Sequence, residues 1–340
     1  MKKRVISILL VICMVFTLVP MTVKAARALT ELHIGSINVT LPDNGNTVYS
    51  NTDTSDSTWW VSNNSGSYTL TLKDSNISTS YIWTQSSLGN TAAIYANGDL
   101  NLVLQGTSTV HNPDAVTARI VKNAYGIYIY GNLNISGNGT LNVSSDTVES
   151  GACYGIYSIN NMTISENVTI NAIANDSVNA HTTYGIFCNG TVTIQNYASV
   201  SATGGEISGT SYDSRNSKGL ALDHLIVKDD AKLNATGRSA NAGHASSVGI
   251  ELRSSLISMT ISNNANVIAK GGSTGSNGSY GIYSSSDYSS GSLTVNGGNL
   301  TAISSSSTWI SAGIYMRGNI NINGGTVISS GGRGNNSSYG

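Results

Sequence analysis

A short motif of small, apolar and aromatic residues recurs along most of the chain. Its centre is a glycine followed by isoleucine or leucine, and in the strongest copies an aromatic ring lies just before the glycine and another lies two positions after it. The copies are Tyr125–Tyr128, Tyr154–Tyr157, Tyr184–Phe187, Lys218–Ala221, Val248–Glu251, Tyr280–Tyr283 and Ala312–Tyr315, preceded by a degenerate copy at Ala92–Tyr95. Successive glycines are 29, 30, 34, 30, 32 and 32 residues apart. A period of this length is typical of repeat proteins built from one supersecondary unit per repeat.

Two further segments of each repeat alternate apolar and polar residues, which indicates strands with one buried face. The apolar pairs of the second segment are Leu133/Ile135, Met162/Ile164, Val192/Ile194, Leu225/Val227, Met259/Ile261, Leu293/Val295 and Ile320/Ile322. The pairs of the third segment are Leu141/Val143, Val168/Ile170, Val200/Ala202, Leu233/Ala235, Val267/Ala269, Leu300/Ala302 and Val327/Ser329. Glycine and asparagine between the segments mark bends.

Three strands per repeat predict an all-β fold, a right-handed parallel β-helix with about 30 residues in each coil. One coil is too small to bury a core of its own, so the coils must stack. Equivalent side chains then form columns along the axis. A β-propeller is the main alternative, but its blades have four strands, and their Trp-Asp signature is missing here.

The N-terminus has the three parts of a secretory signal peptide. Residues 1–4 are basic, residues 5–19 form an apolar run, and Val23-Lys24-Ala25 places small residues before a cleavage point. The apolar run is short for a membrane span and Pro20 closes it. We therefore expect secretion and cleavage rather than an uncleaved membrane anchor.

The repeat and the signal peptide together divide the chain into three parts. We expect a signal peptide at 1–25, an N-terminal cap with the first coil at 26–89, and the β-helix repeats at 90–340. The last residues, Ser338–Gly340, match the opening of another repeat, so we expect the sequence to stop inside one.

Charge is sparse, since only 10% of residues are Asp, Glu, Lys or Arg, against a usual quarter. Removal of 1–25 takes four of the 17 basic residues and leaves 13 against 18 acidic ones, a formal net charge of −5. No basic cluster remains, which argues against nucleic acid as a partner. No second apolar run of spanning length exists, so after cleavage we expect no membrane insertion and a secreted or cell-surface location.

The repeat also predicts the state of the two cysteines of the mature chain. Cys153 lies two residues before its repeat glycine and Cys188 lies three after its own. This five-residue difference corresponds to about 16 Å along an extended strand, whereas a disulfide needs Cα atoms within about 7 Å. We expect two free thiols, with Cys188 as a small core residue on the same side as Ile186.

Alternation also predicts an outward column at the position two residues after the glycine. It contains Tyr95, Tyr128, Tyr157, Phe187, Ala221, Glu251, Tyr283 and Tyr315. Stacked strands are about 4.8 Å apart, which is close to the rise of one sugar in an extended β-linked glycan. The column is therefore a candidate glycan-binding row, through its six aromatic members; the alternative is that the rings simply stabilise adjacent strands. The tyrosines before the glycine are expected to point inward.

Carboxylates that suggest chemistry are few. Asp229 and Asp230 form the one adjacent pair near a bend and are candidates for calcium, the only cofactor the sequence suggests. Lys228 and Lys232 flank the pair, and an ordinary solvated turn is the alternative. Polysaccharide hydrolysis needs two placed carboxylates, and no column of Asp or Glu recurs in neighbouring coils. We name no catalytic residue.

The Tyr-Gly-Ile-Tyr, Leu-Asn-Ile-Ser and Gly-Gly-Thr-Val units resemble those of secreted β-helix proteins of Gram-positive anaerobic bacteria, often described as carbohydrate-binding domain proteins. The likeness covers about Leu70 to Gly340. It implies a pectate-lyase-like fold that binds acidic plant polysaccharide or cellulose, with calcium and usually without catalysis. It assigns no ligand to a particular residue.

Three functions are consistent with these observations. The first is a non-catalytic extracellular protein that binds plant or host polysaccharide along the outward aromatic column. The second is a structural stalk or adhesin of the cell surface. The third is a polysaccharide lyase or hydrolase, for which the sparse carboxylates give little support.

Overall fold

A computed structural model describes residues 26–50, 58–85, 88–113, 121–148, 151–176, 181–208, 215–241, 243–284 and 291–340. The predicted signal peptide lies outside these ranges. The chain is all-β and forms a parallel β-solenoid of about 7 turns of roughly 32 residues each, which confirms the predicted fold class. Within the described ranges, no helix has the length and apolar character needed to cross a membrane.

Twenty-nine strands lie in the described part of the chain. In chain order they are β1 (Glu31–Ile34), β2 (Ile37–Asn38), β3 (Thr47–Tyr49), β4 (Trp59–Asn64), β5 (Ser67–Lys73), β6 (Asn76–Ile77), β7 (Tyr81–Gln85), β8 (Leu88–Asn97), β9 (Leu100–Gln105), β10 (Thr107–Asn112), β11 (Val121–Ile129), β12 (Leu133–Gly137), β13 (Thr140–Ser145), β14 (Ala152–Ser158), β15 (Met162–Ile164), β16 (Thr169–Ala174), β17 (Thr182–Cys188), β18 (Thr191–Ile194), β19 (Ser199–Thr203), β20 (Asn216–Leu222), β21 (His224–Val227), β22 (Lys232–Thr236), β23 (Ser246–Leu252), β24 (Ser258–Gly271), β25 (Ser279–Ser284), β26 (Gly291–Ser304), β27 (Ile310–Tyr315), β28 (Gly318–Ser330) and β29 (Ser337–Tyr339).

The strands form two sheets that run along the solenoid axis. The first sheet contains the glycine-motif strands in the order β8-β11-β14-β17-β20-β23-β25-β27-β29, each parallel to the next. The second sheet contains the second and third strands of every turn. In β24, β26 and β28 these two segments join into one long strand, with a register shift at the bend. The three-strand repeat predicted from alternation is therefore present.

At the N-terminal end the pairing becomes antiparallel. Strands β1 and β7 pair antiparallel with β8 at the edge of the first sheet. Strands β3, β4 and β5 form an antiparallel meander, and β5 then pairs parallel with β9 in the second sheet. Trp59 and Val61 from this meander are buried in the main core, so the segment closes that end of the apolar interior.

Stacking places equivalent apolar side chains in columns. Ile127 pairs with Ile156, and Ile156 with Ile186, and none of the three is more than 1% exposed. They belong to one core cluster that also holds most of the inward pairs of the second and third strands. The predicted pair Ile320/Ile322 in β28 is an exception, since these side chains are 47% and 55% exposed. Each such burial contributes about 1.5–3 kcal/mol relative to exposure, and no turn provides it without its neighbours.

One predicted apolar pair is out of register. The sequence predicts Val168/Ile170 for the third strand, but Leu141 pairs with Ile170 and Val143 with Ala172. The inward pair of β16 is therefore Ile170/Ala172, and Val168 lies buried in the preceding bend. A shift of two residues keeps every side chain on its face, so alternation alone does not reveal it.

The repeat glycine lies where the first strand of a turn passes closest to the third. A Cβ placed on Gly155 would lie 2.5 Å from the carbonyl oxygen of Gly185 and 2.9 Å from the backbone nitrogen of Ile173. A Cβ on Gly249 would lie 2.5 Å from the backbone nitrogen of Lys270. Side-chain carbons do not approach backbone atoms this closely, so the motif glycine is required for the two sheets to meet.

Neither cysteine of the described chain forms a disulfide, as predicted, and both are buried. Cys188 belongs to the main core, which confirms its predicted position. Cys153 lies in a small separate cluster with Ala124, Val148 and Ala174. Burial raises the pKa of the Cys153 thiol to about 12, so the thiol stays protonated at neutral pH.

Candidate aromatic face and cleft

The outer side of the first sheet carries two adjacent columns of aromatic rings, which together we call the aromatic face. The pre-glycine column contains Tyr125, Tyr154 and Tyr184, and the post-glycine column contains Tyr95, Tyr128, Tyr157 and Phe187. Within each column, consecutive ring centroids are 4.7 to 5.5 Å apart and the ring planes differ by at most 8°. The strand spacing of the sheet sets this separation.

The predicted inward orientation of the pre-glycine tyrosines is wrong. The ring of Tyr154 meets the ring of Tyr157 edge-on at 5.2 Å, so both rings lie on the same side of the sheet. Gly155 and Ile156, between them, are both buried. The glycine backbone packs against the third strand and takes an inward place beside the isoleucine, so the alternation shifts by one residue at every repeat glycine.

Rings within a column cover one another. Parallel rings about 5 Å apart between centroids are offset-stacked, so the face of Tyr128 is turned partly toward Tyr157 and Tyr95 rather than toward solvent. The two columns also contact each other edge to face, as Tyr184 does with Phe187 at 5.2 Å. The rings of the aromatic face therefore stabilise the adjacent strands, and two of them, Tyr125 and Phe187, are almost fully buried.

The six predicted ring positions fall into two groups. Tyr95, Tyr128, Tyr157 and Phe187 share the continuous post-glycine column described above. Tyr283 and Tyr315 form a separate patch with Tyr280, with Tyr283 4.6 Å from Tyr280 and 5.9 Å from Tyr315 between centroids. Ala221 and Glu251, which the sequence placed in the same column, separate the two groups of rings.

The N-terminal end of the aromatic face is extended by β7. Trp83 contacts the rings of Tyr81, Tyr95, Tyr125 and Tyr128, with centroid distances of 4.8 to 5.9 Å. The sequence did not indicate this, because β7 lies outside the repeat and pairs antiparallel with β8. Only the tertiary pairing places Trp83 over the columns.

Burial perturbs the hydroxyl groups of the face. Loss of solvent, followed by the nearby negative charge of Glu31, raises the pKa of Tyr95 to about 12. Burial also raises the pKa of Tyr125 and Tyr128 well above the usual value near 10, with a smaller contribution from neighbouring tyrosines. These hydroxyls stay protonated over the whole physiological range.

We expect the free energy of unfolding to fall steeply above pH 10. A tyrosine of the unfolded chain ionises near pH 10, whereas Tyr125 and Tyr128 keep their protons in the fold, so the unfolded state binds fewer protons. The contribution is complete below pH 10 and falls by about 1.4 kcal/mol per pH unit for each tyrosine still protonated in the fold. Denaturant midpoints at about pH 8 and pH 11 measure it. Equal midpoints would contradict the expectation.

The two columns are interrupted at β20 and β23. In the pre-glycine column Lys218 and Val248 follow Tyr184, and in the post-glycine column Ala221 and Glu251 follow Phe187. Lys218 Nζ donates to both carboxylate oxygens of Glu251 at 2.8 Å. The two side chains are only 11% and 7% exposed. Burial disfavours the charge on Lys218, but the attraction of Glu251 outweighs it and raises the pKa of Lys218, which therefore stays protonated at neutral pH.

A cleft opens at this interruption. It has a volume of about 260 Å³ and is lined by Asn216, Lys218, His244, Ser246, Val248, Glu251, Asn277, Tyr280 and Tyr283. Amide, hydroxyl, imidazole and carboxylate groups therefore converge beside two aromatic rings. Of these lining residues, Glu251 is the one carboxylate.

Cations cover the rings on the N-terminal side of the cleft. Lys218 Nζ lies 5.4 Å from the ring centroid of Tyr184, and the Arg253 guanidinium lies 4.5 Å from that of Phe187. Such contacts contribute roughly 0.5–2 kcal/mol. Arg253 reaches across β20 because Ala221, in the intervening turn, has a small side chain.

The calcium candidates Asp229 and Asp230 accept hydrogen bonds that stabilise a bend. Asp229 has a φ of 64°, and its Oδ2 accepts from the backbone N–H of Asn196 at 3.1 Å, while its Oδ1 accepts from the Asn263 amide at 3.0 Å. Asp230 Oδ1 accepts from the Asn264 amide at 3.1 Å. The described residues contain no group of three or more His, Cys, Asp or Glu placed to hold a metal ion. Calcium at this pair stays a prediction without a supporting contact.

The cleft was missed at the level of sequence, although its signal was present. Lys218–Ala221 and Val248–Glu251 are the two copies that depart most from the motif, and they are consecutive. Charged residues are rare in this chain, so opposite charges in two neighbouring copies of the motif indicate that an ion pair replaces aromatic rings there. Recognising it required knowing that the positions before and after the glycine share one face.

Comparison with known proteins adds no assignment. No family model matches the chain, and no curated protein or solved structure is significantly similar to it. The class of protein is therefore defined by the fold and the site alone: a parallel β-solenoid with aromatic clusters on one sheet, an arrangement compatible with carbohydrate binding.

Proposed function

We propose that this protein is a non-catalytic, extracellular polysaccharide-binding β-helix, whose glycan lies along the aromatic face. The observation that carries the proposal is the pair of ring columns on the first sheet, with members 4.7 to 5.5 Å apart. This spacing is close to the rise of one sugar in an extended β-linked chain. A glycan parallel to the axis therefore meets equivalent groups at each unit.

The chemistry of the face supports a carbohydrate ligand. A tyrosine side chain has an apolar ring and a polar hydroxyl group. Such side chains are favoured where a ligand presents both apolar and polar groups. Tyr128 is partly exposed and its hydroxyl stays protonated, so this group can both donate and accept a hydrogen bond. The predicted leader would export the protein, and an extracellular location and the resemblance to secreted carbohydrate-binding β-helices both support this proposal.

Retention on insoluble polysaccharides tests the proposal. We expect the chain to be retained by at least one of cellulose, xylan, mannan and pectin, and retention to weaken about tenfold, or about 1.4 kcal/mol, in a Tyr128→Ala/Tyr157→Ala double variant. The two rings form the centre of the post-glycine column, so their loss opens a gap in the contact surface.

A matched control separates binding from general loss of a tyrosine. Tyr197 is 67% exposed and lies in the bend between β18 and β19, away from the aromatic face. Tyr197→Ala should be retained like the wild type, and circular dichroism should show that both variants remain folded. Undiminished retention of the folded double variant would remove the aromatic face from the mechanism.

A rigid stalk or adhesin is the second candidate, and ring stacking favours it. Rings that cover one another, such as Tyr154 and Tyr184 at 4.9 Å, stabilise a long solenoid whatever it carries. A chain that is retained by no polysaccharide, but whose unfolding midpoint drops in the double variant, supports this role instead.

A further inference from the structure

We propose that the cleft between β20 and β25 selects the ligand by taking one neutral sugar unit. The unit packs against Tyr280 and Tyr283 and donates hydroxyl hydrogen bonds to the carboxylate of Glu251. This inference rests on the proposed function and adds to it a place and a class of sugar.

The cleft exists because two rings are missing from the columns. Val248 and Glu251 pair with Tyr280 and Tyr283 of the next turn, and they occupy the places where other turns carry aromatic rings. Tyr280 and Tyr283 line the cleft beside Val248 and Glu251, and both rings also contact Tyr315. An aromatic wall beside polar groups matches the two kinds of surface on a sugar, whose C–H groups are apolar and whose hydroxyls are polar.

The polar groups favour a hydroxyl-bearing ligand. Each oxygen of Glu251 accepts one bond from Lys218 Nζ, and a carboxylate oxygen has capacity for a second. Hydrogen bonds to a charged acceptor are roughly twice as strong as those between neutral groups. Asn216 and Asn277 also line the cleft and bring amide groups that donate and accept hydrogen bonds.

The charges favour a neutral sugar over an acidic one. Lys218 and Glu251 neutralise each other in a bidentate pair, and the Arg253 guanidinium lies against the ring of Phe187. An acidic sugar would have to approach Glu251, which repels it, or break a buried ion pair to reach Lys218, which is costly because it leaves a buried charge unpaired. A neutral sugar leaves the pair intact.

The size of the cleft limits the ligand to one unit. Its volume of about 260 Å³ lies just below the roughly 300–1,000 Å³ of sites for drug-sized ligands. The neighbouring units then lie outside the cleft, along the aromatic face on one side and beside Tyr315 on the other.

A substitution at Ser246 that blocks the cleft tests its role without changing the aromatic face or the Lys218–Glu251 ion pair. Ser246 lines the cleft and is partly exposed, so Ser246→Tyr fills the space, and Ser246→Ala is the matched control. Both variants and the wild type are assayed for retention on cellulose, xylan, mannan and pectin. Competition is measured with soluble neutral oligosaccharides and with oligogalacturonate.

The expected result is that Ser246→Tyr weakens retention about tenfold, that Ser246→Ala does not, and that neutral oligosaccharides compete while oligogalacturonate does not. Wild-type retention by a folded Ser246→Tyr variant, or better competition by oligogalacturonate, overturns the cleft assignment and leaves polysaccharide binding in place. Absence of wild-type retention on every polysaccharide overturns the proposed function instead, together with the inference that rests on it.

Discussion

Replacing Gly155 with alanine is expected to lower the free energy of unfolding by about 3 kcal/mol, although the change adds one methyl group. The new Cβ would lie 2.5 Å from the carbonyl oxygen of Gly185 and 3.1 Å from the backbone carbonyl carbon of Ala172. Both contacts are to backbone held by sheet pairing, so no side chain can turn aside. The strands must separate, and the sheets on either side lose register. Denaturant midpoints of the purified variant measure the effect.

Gly275→Ala is the matched control for this prediction. A Cβ on Gly275 would meet nothing closer than Asn241 Cα at 3.8 Å, an ordinary contact. Its change in unfolding free energy should be within about 0.5 kcal/mol, as for most surface substitutions. A Gly155→Ala protein that unfolds at the same denaturant concentration as the Gly275→Ala protein would show that the close approach does not constrain the fold.

The fold was predictable because its signals are local and repeated. Inward side chains such as Ile127, Ile156 and Ile186 recur at a fixed period, and stacking is the only way for such short coils to bury them. The same register predicted that Cys153 and Cys188 remain apart. Both the stacking of the coils and the separation of the cysteines follow from two things, the position of a residue along its strand and the face of the sheet on which it lies. Neither conclusion depends on the details of side-chain packing.

The orientation of the pre-glycine tyrosines was not predictable from alternation. Strict alternation assumes a regular strand, whereas Gly155 packs its backbone against the third strand and shifts the pattern by one. The requirement for glycine and the outward orientation of Tyr154 have the same cause. Sequence shows that the glycine recurs, but the reason is a contact between strands about 17 residues apart, Gly155 and Ala172.

The cleft shows where a repeat carries functional information. The repeat shows the structural role of each position of the motif. A copy with an unusual residue at one of these positions therefore indicates a site where another role has replaced the structural one. Lys218 and Glu251 occupy different positions of the motif, and only the shared outer face brings them within 2.8 Å. The sequence already placed Ala221 and Glu251 between the rings of the predicted column, but it did not show that this gap forms a cleft.

Breaking the ion pair from either side is expected to be costly, whereas removing both charges is not. Lys218→Met leaves the Glu251 carboxylate unpaired in a site where it is 7% exposed, and Glu251→Leu leaves the ammonium group unpaired where it is 11% exposed. Each single change should lower the free energy of unfolding by about 3 kcal/mol. This is the lower end of the range for breaking a buried ion pair, because the cleft admits water. The double variant should lie within about 1 kcal/mol of the wild type, since apolar replacements of a buried pair are often neutral.

The pH dependence of the Glu251→Leu variant distinguishes loss of charge pairing from loss of packing. In the wild type the attraction of Glu251 outweighs the effect of burial on the pKa of Lys218. Without Glu251, burial lowers the pKa of Lys218 below its unfolded value, so the unfolded state binds more protons and stability rises with pH toward 10. The difference between the denaturant midpoints of the wild type and of this variant should therefore narrow between about pH 7 and pH 10. A difference that does not change with pH, or additive costs in the double variant, would show that the two charges are not coupled.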